Sequence, residues 1–464
     1  MSTRLGCSST GRPTSPSVRT PQPLSPRHDG HDIQVTICPR RPPHVSYLSV
    51  YSRDAEMPIE PTNVATEEDL VVLCVTVSCQ KDVMKNIDYY VYQATGGVAD
   101  GKPSLTLLKR PRAPYNSFYA EHTGVLLYGT SHQPALSGRT GISLRPHVHG
   151  VQRHYIIAAL KPTPWEMQEE FPQGNFILSL YNSKKEDWTV NFISLNKEQR
   201  QQYGHDFEHA NSKVITTGGD AGTMGFVNLW RGILFCDLLS LKGEVIPSQL
   251  RYIELPLTCR NSLFRGDARL ARDIAVINGQ LKFVELQMHW KESRVYKGDF
   301  FEDGWMATTW SRPSSCLSGH WSREYKADSK DMNFKDSPYV NLLPRVLSDE
   351  DVLLPPFKRI DICQPTLSLK DDGSCVVYFM TKVDRRDKDA WVVAVDMQRN
   401  TLQGVAPFVA ARNPLTPFAY MSSRISTHLL KPAPGPHGHL KRPRVLSSIV
   451  RLIVIHVSLI RYFL

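Results

Sequence analysis

Along the middle of this chain, hydrophobic and polar positions alternate in short runs of roughly four to eight residues, each closed by a turn-forming residue. From Asp69 onward the runs Leu70–Val77, Tyr89–Tyr92, Leu105–Leu108, Val125–Tyr128, Tyr155–Leu160, Phe176–Tyr181 and Trp188–Leu195 each fit a strand. The pattern resumes in Arg251–Leu255, Asp273–Ile277, Leu281–Gln287, Met306–Trp310, Ser374–Val383 and Trp391–Asp396. Asn278-Gly279 is a two-residue hairpin signal, because a type I′ turn needs positive φ at both positions. Asp372-Gly373 marks a similar turn. Asn196–Gln202 reads as a short helix capped by Asn196.

The densest apolar stretch, Thr223–Leu239, lies between these two series. A single helix would bury Gly232 in its interior, at a cost of about 1 kcal/mol relative to Ala. Two strands, Gly225–Leu229 and Ile233–Leu238, joined by a tight Trp230-Arg231-Gly232 turn, fit the pattern better. Trp230 is expected to anchor this hairpin in the core, with Arg231 and Asp237 at the strand ends.

So many short strands with few helices predict an all-β protein, a propeller-like or multi-sheet architecture flanked by disordered tails. No strict repeat of 40–50 residues is visible, so the propeller expectation rests on size and strand density. Residues 1–60 are rich in Pro, Ser, Thr and Arg and are expected to form a disordered basic extension. Residues 61–430 form the β-rich domain. Residues 431–464 read as a basic linker and an apolar C-terminal tail, interrupted by Arg451, His456 and Arg461. Those interruptions argue against a membrane anchor, because charges are costly at a bilayer centre.

The formal net charge of +10 invites a nucleic-acid reading, but its distribution does not. Residues 1–50 hold six Arg and two Asp, and residues 431–464 hold six basic residues and no acid, which leaves 43 charges of each sign in 51–430. Nucleic-acid binding through the basic tails therefore stands only as a third, weaker reading. The nine cysteines form no C-x-x-C motif, and no N-x-[ST] sequon occurs. An intracellular protein, in the cytoplasm or nucleus, is expected. Import into an organelle is the secondary reading of the Arg- and Ser-rich N-terminus, with its prolines against it.

Several motif-like stretches fail on chemistry. In Gly96–Ser104 the phosphate-binding pattern puts Pro103 where a Mg²⁺-binding hydroxyl belongs, and a strand follows. Gly219, Gly222 and Gly225 lack the dinucleotide spacing and lead into a strand. His205-Asp206-Phe207-Glu208-His209 matches H-x-x-E-H, which on a helix would let His205 and His209 hold zinc with Glu208 as general base. Gly204 and the scarcity of apolar residues around it favour a solvated loop and no metal. His147, His149 and His154 read as a surface loop for the same lack of partners. Trp230, Trp290, Trp305, Trp310, Trp321 and Trp391 could stack bases or sugars, but core packing is the expectation in an electrically balanced body.

The blocks L-W-R-G-I-L-F-C-D-L-L, R-D-I-A-V-I-N-G-Q-L-K-F-V-E-L and G-W-M-A-T-T-W-S-R follow one another over about residues 223–312. In that order they resemble the signature of a plant domain-of-unknown-function family expanded in grasses. The signature positions here are Trp230, Gly232, Cys236, Asp237, Asn278, Gly279, Trp305 and Trp310. The resemblance carries no activity, cofactor or catalytic residue. The expectation is a non-catalytic module whose partner is another protein, without a small-molecule cofactor. The alternative is a metal-dependent hydrolase built on His205, Glu208 and His209.

Overall fold

The computed structural model describes residues 33–52, 61–76, 87–94, 103–110, 118–129, 153–164, 175–203, 207–256, 266–292, 300–315, 319–332, 337–346, 357, 360–384, 389–409 and 420–429, with two short strands at 18–19 and 451–454. The protein is all-β and propeller-like, with five four-stranded antiparallel sheets following one another along the chain. The first blade is Thr62–Glu67, Leu70–Thr76, Ile87–Gln93 and Ser104–Leu107. The second is Thr123–Tyr128, His154–Pro162, Asn175–Asn182 and Asp187–Ser194, and the third is Lys213–Gly218, Thr223–Asn228, Gly232–Asp237 and Arg251–Glu254. The fourth comprises Arg272–Ile277, Gln280–Glu292, Phe300–Pro313 and Ser322–Asp328. The fifth comprises Asp361–Leu367, Val376–Lys382, Asp389–Asp396 and Thr401–Val409.

A further sheet joins the two ends of the chain, in the order Val18–Arg19, Ile33–Cys38, Val45–Ser52, Arg451–Val454, Tyr420–Ser423. The first strands of successive blades touch one another, so they line the inside of the ring and the fourth strands form its rim. Each sheet buries its two apolar faces against its neighbours. Blades one to five are joined pairwise by four buried clusters. Two more clusters join the end-to-end sheet to the first and fifth blades.

This sheet corrects the expected boundary after residue 60. Ile33, Val35 and Ile37 lie buried against Val71, Leu73 and Tyr92, so the folded body begins inside the stretch expected to be an extension. Alternation in I-Q-V-T-I-C was visible, but its sheet is completed by strands from the far end of the chain, which pair with its neighbour Val45–Ser52. Other strands also went unread for physical reasons. Asp361–Leu367 carries Pro365 within a bulge, where the register shifts and Gln364 adopts φ 52°. Thr401–Val409 contains Gly404 and Pro407, tolerated because it is a rim strand. Ser322–Asp328 is charged, as suits an exposed edge.

Local signals read correctly are satisfied in the expected way. Asn278 and Gly279 adopt φ 52° and 69° between two strands of the fourth blade. Asn196 Oδ1 accepts from the Gln199 amide at 2.9 Å and caps the helix Lys197–Tyr203. No helix among the described residues is long and apolar enough to cross a membrane.

The ring closes through polar contacts at the first blade. Asn63 meets Met421, and Glu68, in a tight turn, accepts from His428 at 3.1 Å and pairs with Arg424 at 3.3 Å. The His428 hydrogen bond, opposed by burial and helped by Arg424, holds the Glu68 carboxyl down to about 2 from an ordinary 4.5. A depressed carboxyl stabilises the fold above its unfolded value and loses that contribution as pH falls. The ring closure is therefore expected to weaken by up to about 3 kcal/mol between pH 4.5 and 2. Denaturant midpoints followed through that window should fall less steeply in Glu68→Gln than in the parent; parallel curves would show that Glu68 does not hold the closure.

Candidate functional site

The hairpin of the third blade is the one expected. Thr223–Asn228 pairs with Gly232–Asp237, with Asn228 opposite Gly232. The turn is fixed by the Arg231 amide donating to the Asn228 carbonyl at 3.0 Å and the Trp230 amide to Asn228 Oδ1 at 3.0 Å. Gly232 is required, because an added Cβ would lie 2.3 Å from the Ile253 carbonyl. One detail differs from expectation. The buried anchors are Leu229, Phe226 and Phe235, while Trp230 is only partly buried and lies at the rim. Its ring stacks under the Arg272 guanidinium at 4.6 Å, and its Nε1 donates to the Gly266 carbonyl at 3.2 Å. Arg231 reaches Glu208 at 3.4 Å, whereas Asp237 takes Arg251 at 2.8 Å and the Thr223 hydroxyl at 2.6 Å.

The turn opens onto a cleft along the outer strand Arg251–Glu254. The Gln199 side chain lies against that strand like a missing partner: it accepts from the Tyr252 amide at 2.8 Å and donates to the Tyr252 carbonyl at 2.7 Å. The Leu250 amide donates to Ser194 at 2.9 Å, and the Glu254 carbonyl accepts the Trp321 indole at 2.9 Å. An edge strand with its backbone groups so engaged resists pairing with a further strand. Over it Tyr203 and Phe207 stand edge-on to Tyr252, at 5.1 and 4.9 Å. A cavity of about 580 Å³ lies on one side, lined by Tyr203, Tyr252, Glu254, Arg312, His320 and Trp321 among others. A second, of about 290 Å³, is lined by Tyr203, Phe207, Glu208, Trp230, Arg231, Tyr252 and Glu254. Tyr203, Tyr252 and Glu254 are common to both.

Two of the cleft's polar groups can be described chemically. Tyr203 points its hydroxyl at Glu254 Oε1, 3.5 Å away. Burial and the Glu254 charge push that phenol up, the opposite of an activated phenolate. Glu208 is largely exposed and paired with Arg231, not buried as a general acid would be.

The H-x-x-E-H reading is overturned in its described part. Residues 207–210 are not helical, so Glu208 and His209 diverge. His209 is 6% exposed, and its Nε2 donates to the Phe226 carbonyl at 3.0 Å, since a carbonyl can only accept. Burial lowers it to about 4, making it a neutral core imidazole. No group of His, Cys, Asp and Glu among the described residues could hold a metal. His205 lies outside the described residues, as do His147, His149 and most of the Gly96–Ser104 loop. His154 begins a strand beside the Tyr128 ring. Gly219 and Gly222 form the turn between the first two strands of the third blade, with φ 74° and 57°.

Trp305 and Trp310 are core residues, 0% and 7% exposed. Trp290 is half exposed, against the packing expectation. Cys236 is buried, and burial pushes its thiol up to about 12. It is expected to resist alkylation in the native protein and to label only on unfolding, which mass spectrometry of pulse-labelled protein would check. Tyr203, Tyr252 and Glu254 were not anticipated. The only visible hint was a charged Glu254 within the apolar run L-R-Y-I-E-L-P, and periodicity alone does not say that such a residue faces a cleft.

Residues 226–378 match the model of a family described as a protein of unknown function (DUF1618). No curated protein matches the chain. Among solved structures, MPT-1, a GDP-Man-dependent mannosyltransferase from Leishmania mexicana, overlaps 68% of this chain and 79% of its own at 8% identity and a TM-score of 0.21. A mutant NanB sialidase from Streptococcus pneumoniae overlaps 79% of this chain and 62% of its own at 7% identity and a TM-score of 0.30. Likeness at those scores transfers neither fold nor activity.

Proposed function

We propose that this protein is a non-catalytic interaction module that takes a segment of another protein into the rim cleft of its third blade. The observation that carries the reading is the cleft itself, where Tyr203, Phe207, Trp230, Tyr252 and Trp321 line two adjoining cavities on the outside of the ring. Aromatic side chains on a rigid β scaffold supply large contact area at low entropic cost, and such residues dominate protein interfaces. Free Cys38, Cys74, Cys236, Cys363 and Cys375 support work in a reducing compartment.

Panning a random decapeptide library against the full chain tests this. Enriched peptides should share a pattern and lose binding at least about tenfold when Tyr203 and Trp321 are replaced by Ala, as expected for anchor residues worth about 1–2 kcal/mol each. Thermal unfolding of the variants controls for the fold. Lack of enrichment, or peptides indifferent to both replacements, would overturn the proposal.

A further inference from the structure

We propose that the Glu254 carboxylate is the receptor for the cationic head of a lysine or arginine carried by the partner segment. This rests on the reading of the rim cleft as a peptide site and adds the side chain that anchors it.

Glu254 is exposed, lies on the outermost strand of its blade and lines both cavities. Among the described residues no cation pairs with it, and the one group that meets its carboxylate is the Tyr203 hydroxyl at 3.5 Å. The other charges of the smaller cavity cancel, because Arg231 and Glu208 hold each other at 3.4 Å. In the larger cavity Arg312 is 5% exposed and already engaged with a partner of its own. Among the described residues, a ligand entering between the cavities therefore meets in Glu254 a carboxylate that no cation pairs with. Around it stand the rings of Tyr203, Tyr252 and Trp230, with Trp321 held beside it by its indole hydrogen bond to the Glu254 carbonyl. Carboxylate and ring faces attract the same kind of guest, a cation on an apolar stem.

The backbone favours the same answer. Gln199, Ser194 and Trp321 occupy the outward groups of this strand, so a partner cannot dock simply by extending the sheet. Recognition must then come through side chains. The smaller cavity, about 290 Å³, lies at the lower limit of ligand pockets, which run from about 300 to 1,000 Å³. It suits one long side chain better than a cofactor.

The probes are Nα-acetyl-lysine methylamide and its arginine counterpart, titrated into the full chain and followed by saturation-transfer NMR. The norleucine analogue, which keeps the stem and lacks the charge, and methyl glucoside are the comparisons. Both cationic probes should bind at least about threefold more tightly than norleucine, as an exposed carboxylate and the ring faces together supply. Glu254→Gln should abolish that preference, and Glu244→Gln, at an exposed carboxylate that lines neither cavity, should leave it within about twofold. The lysine–norleucine comparison on the parent protein needs no variant and so does not depend on how Glu254→Gln folds. Equal binding of norleucine, tighter binding of methyl glucoside, or indifference to Glu254→Gln would overturn the proposal. A failed peptide selection with cation binding intact sinks the protein-partner reading alone; peptide binding without a basic residue sinks only this one.

Discussion

Arg272→Ala is expected to lower the free energy of unfolding by about 3–5 kcal/mol. Arg272 and Glu285 are 5% and 3% exposed and face each other across neighbouring strands of the fourth blade. Arg272 Nε donates to Glu285 Oε1 at 2.9 Å, and Nη2 reaches the same oxygen. The guanidinium then extends to the third blade. Its Nη1 donates to the Leu229 carbonyl at 3.0 Å and lies 3.4 Å from that of Trp230, while its plane covers the Trp230 ring. One side chain thus ties the signature turn to the next blade. Removing it leaves a buried carboxylate with Gln287, 3.0 Å away, as a weak substitute for a cation, and two carbonyls with fewer donors. Replacing both charges at once, Arg272→Met with Glu285→Leu, removes the stranded charge. That double variant should recover most of the loss and retain a deficit of about 1–2 kcal/mol from the unpaired carbonyls. Denaturant midpoints at constant slope read both values. A single variant within about 1 kcal/mol of the parent would mean that the pair contributes little beyond its own desolvation.

The contrast between what could and could not be read beforehand follows range along the chain. The hairpin around Trp230, the Asn278-Gly279 turn and the Asn196 cap depend on a few neighbouring residues whose backbone preferences are strong. Each was legible. The sheet joining Ile33–Cys38 and Val45–Ser52 to Tyr420–Ser423 depends on a pairing between the chain's ends. No local pattern specifies such a pairing, and the surrounding prolines and arginines obscured it. The candidate site fails for a related reason. Tyr203 ends a helix after the second blade, Tyr252 and Glu254 lie on the third, and Trp321 precedes the last strand of the fourth. Only packing of successive blades brings them together. The H-x-x-E-H match shows the converse error: spacing implied a shared face, but residues 207–210 are not helical, and His209 turned inward onto the Phe226 carbonyl. Trp230 lies between these cases. Its neighbours fixed the turn, but Arg272 decided that its ring would be stacked at the rim and not sunk in the core.

Trp305→Ala should be as damaging as the loss of Arg272, about 3–5 kcal/mol, by a different mechanism. Trp305 is 0% exposed and sits where the fourth blade meets the fifth, with ring centres 5.2 Å from Phe379 and 5.7 Å from Phe357. Its backbone is held as firmly, exchanging hydrogen bonds with Ser329 at 2.9 Å on both its amide and its carbonyl. Truncation therefore opens a cavity that the neighbours cannot collapse into. The indole nitrogen adds a second, sharper expectation, because it is buried with no hydrogen-bond partner among the described residues. Trp305→Phe then gives up volume but no hydrogen bond, and it should cost less than half as much as Trp305→Ala. The blades form a closed ring, so loosening one interface should also loosen its neighbours. Amides of Val377–Phe379 and Ala307 should lose hydrogen-exchange protection together in Trp305→Ala. A phenylalanine variant as unstable as the alanine one would show that the indole nitrogen does have a partner. Protection lost in the fourth blade alone would show that this interface does not couple the ring.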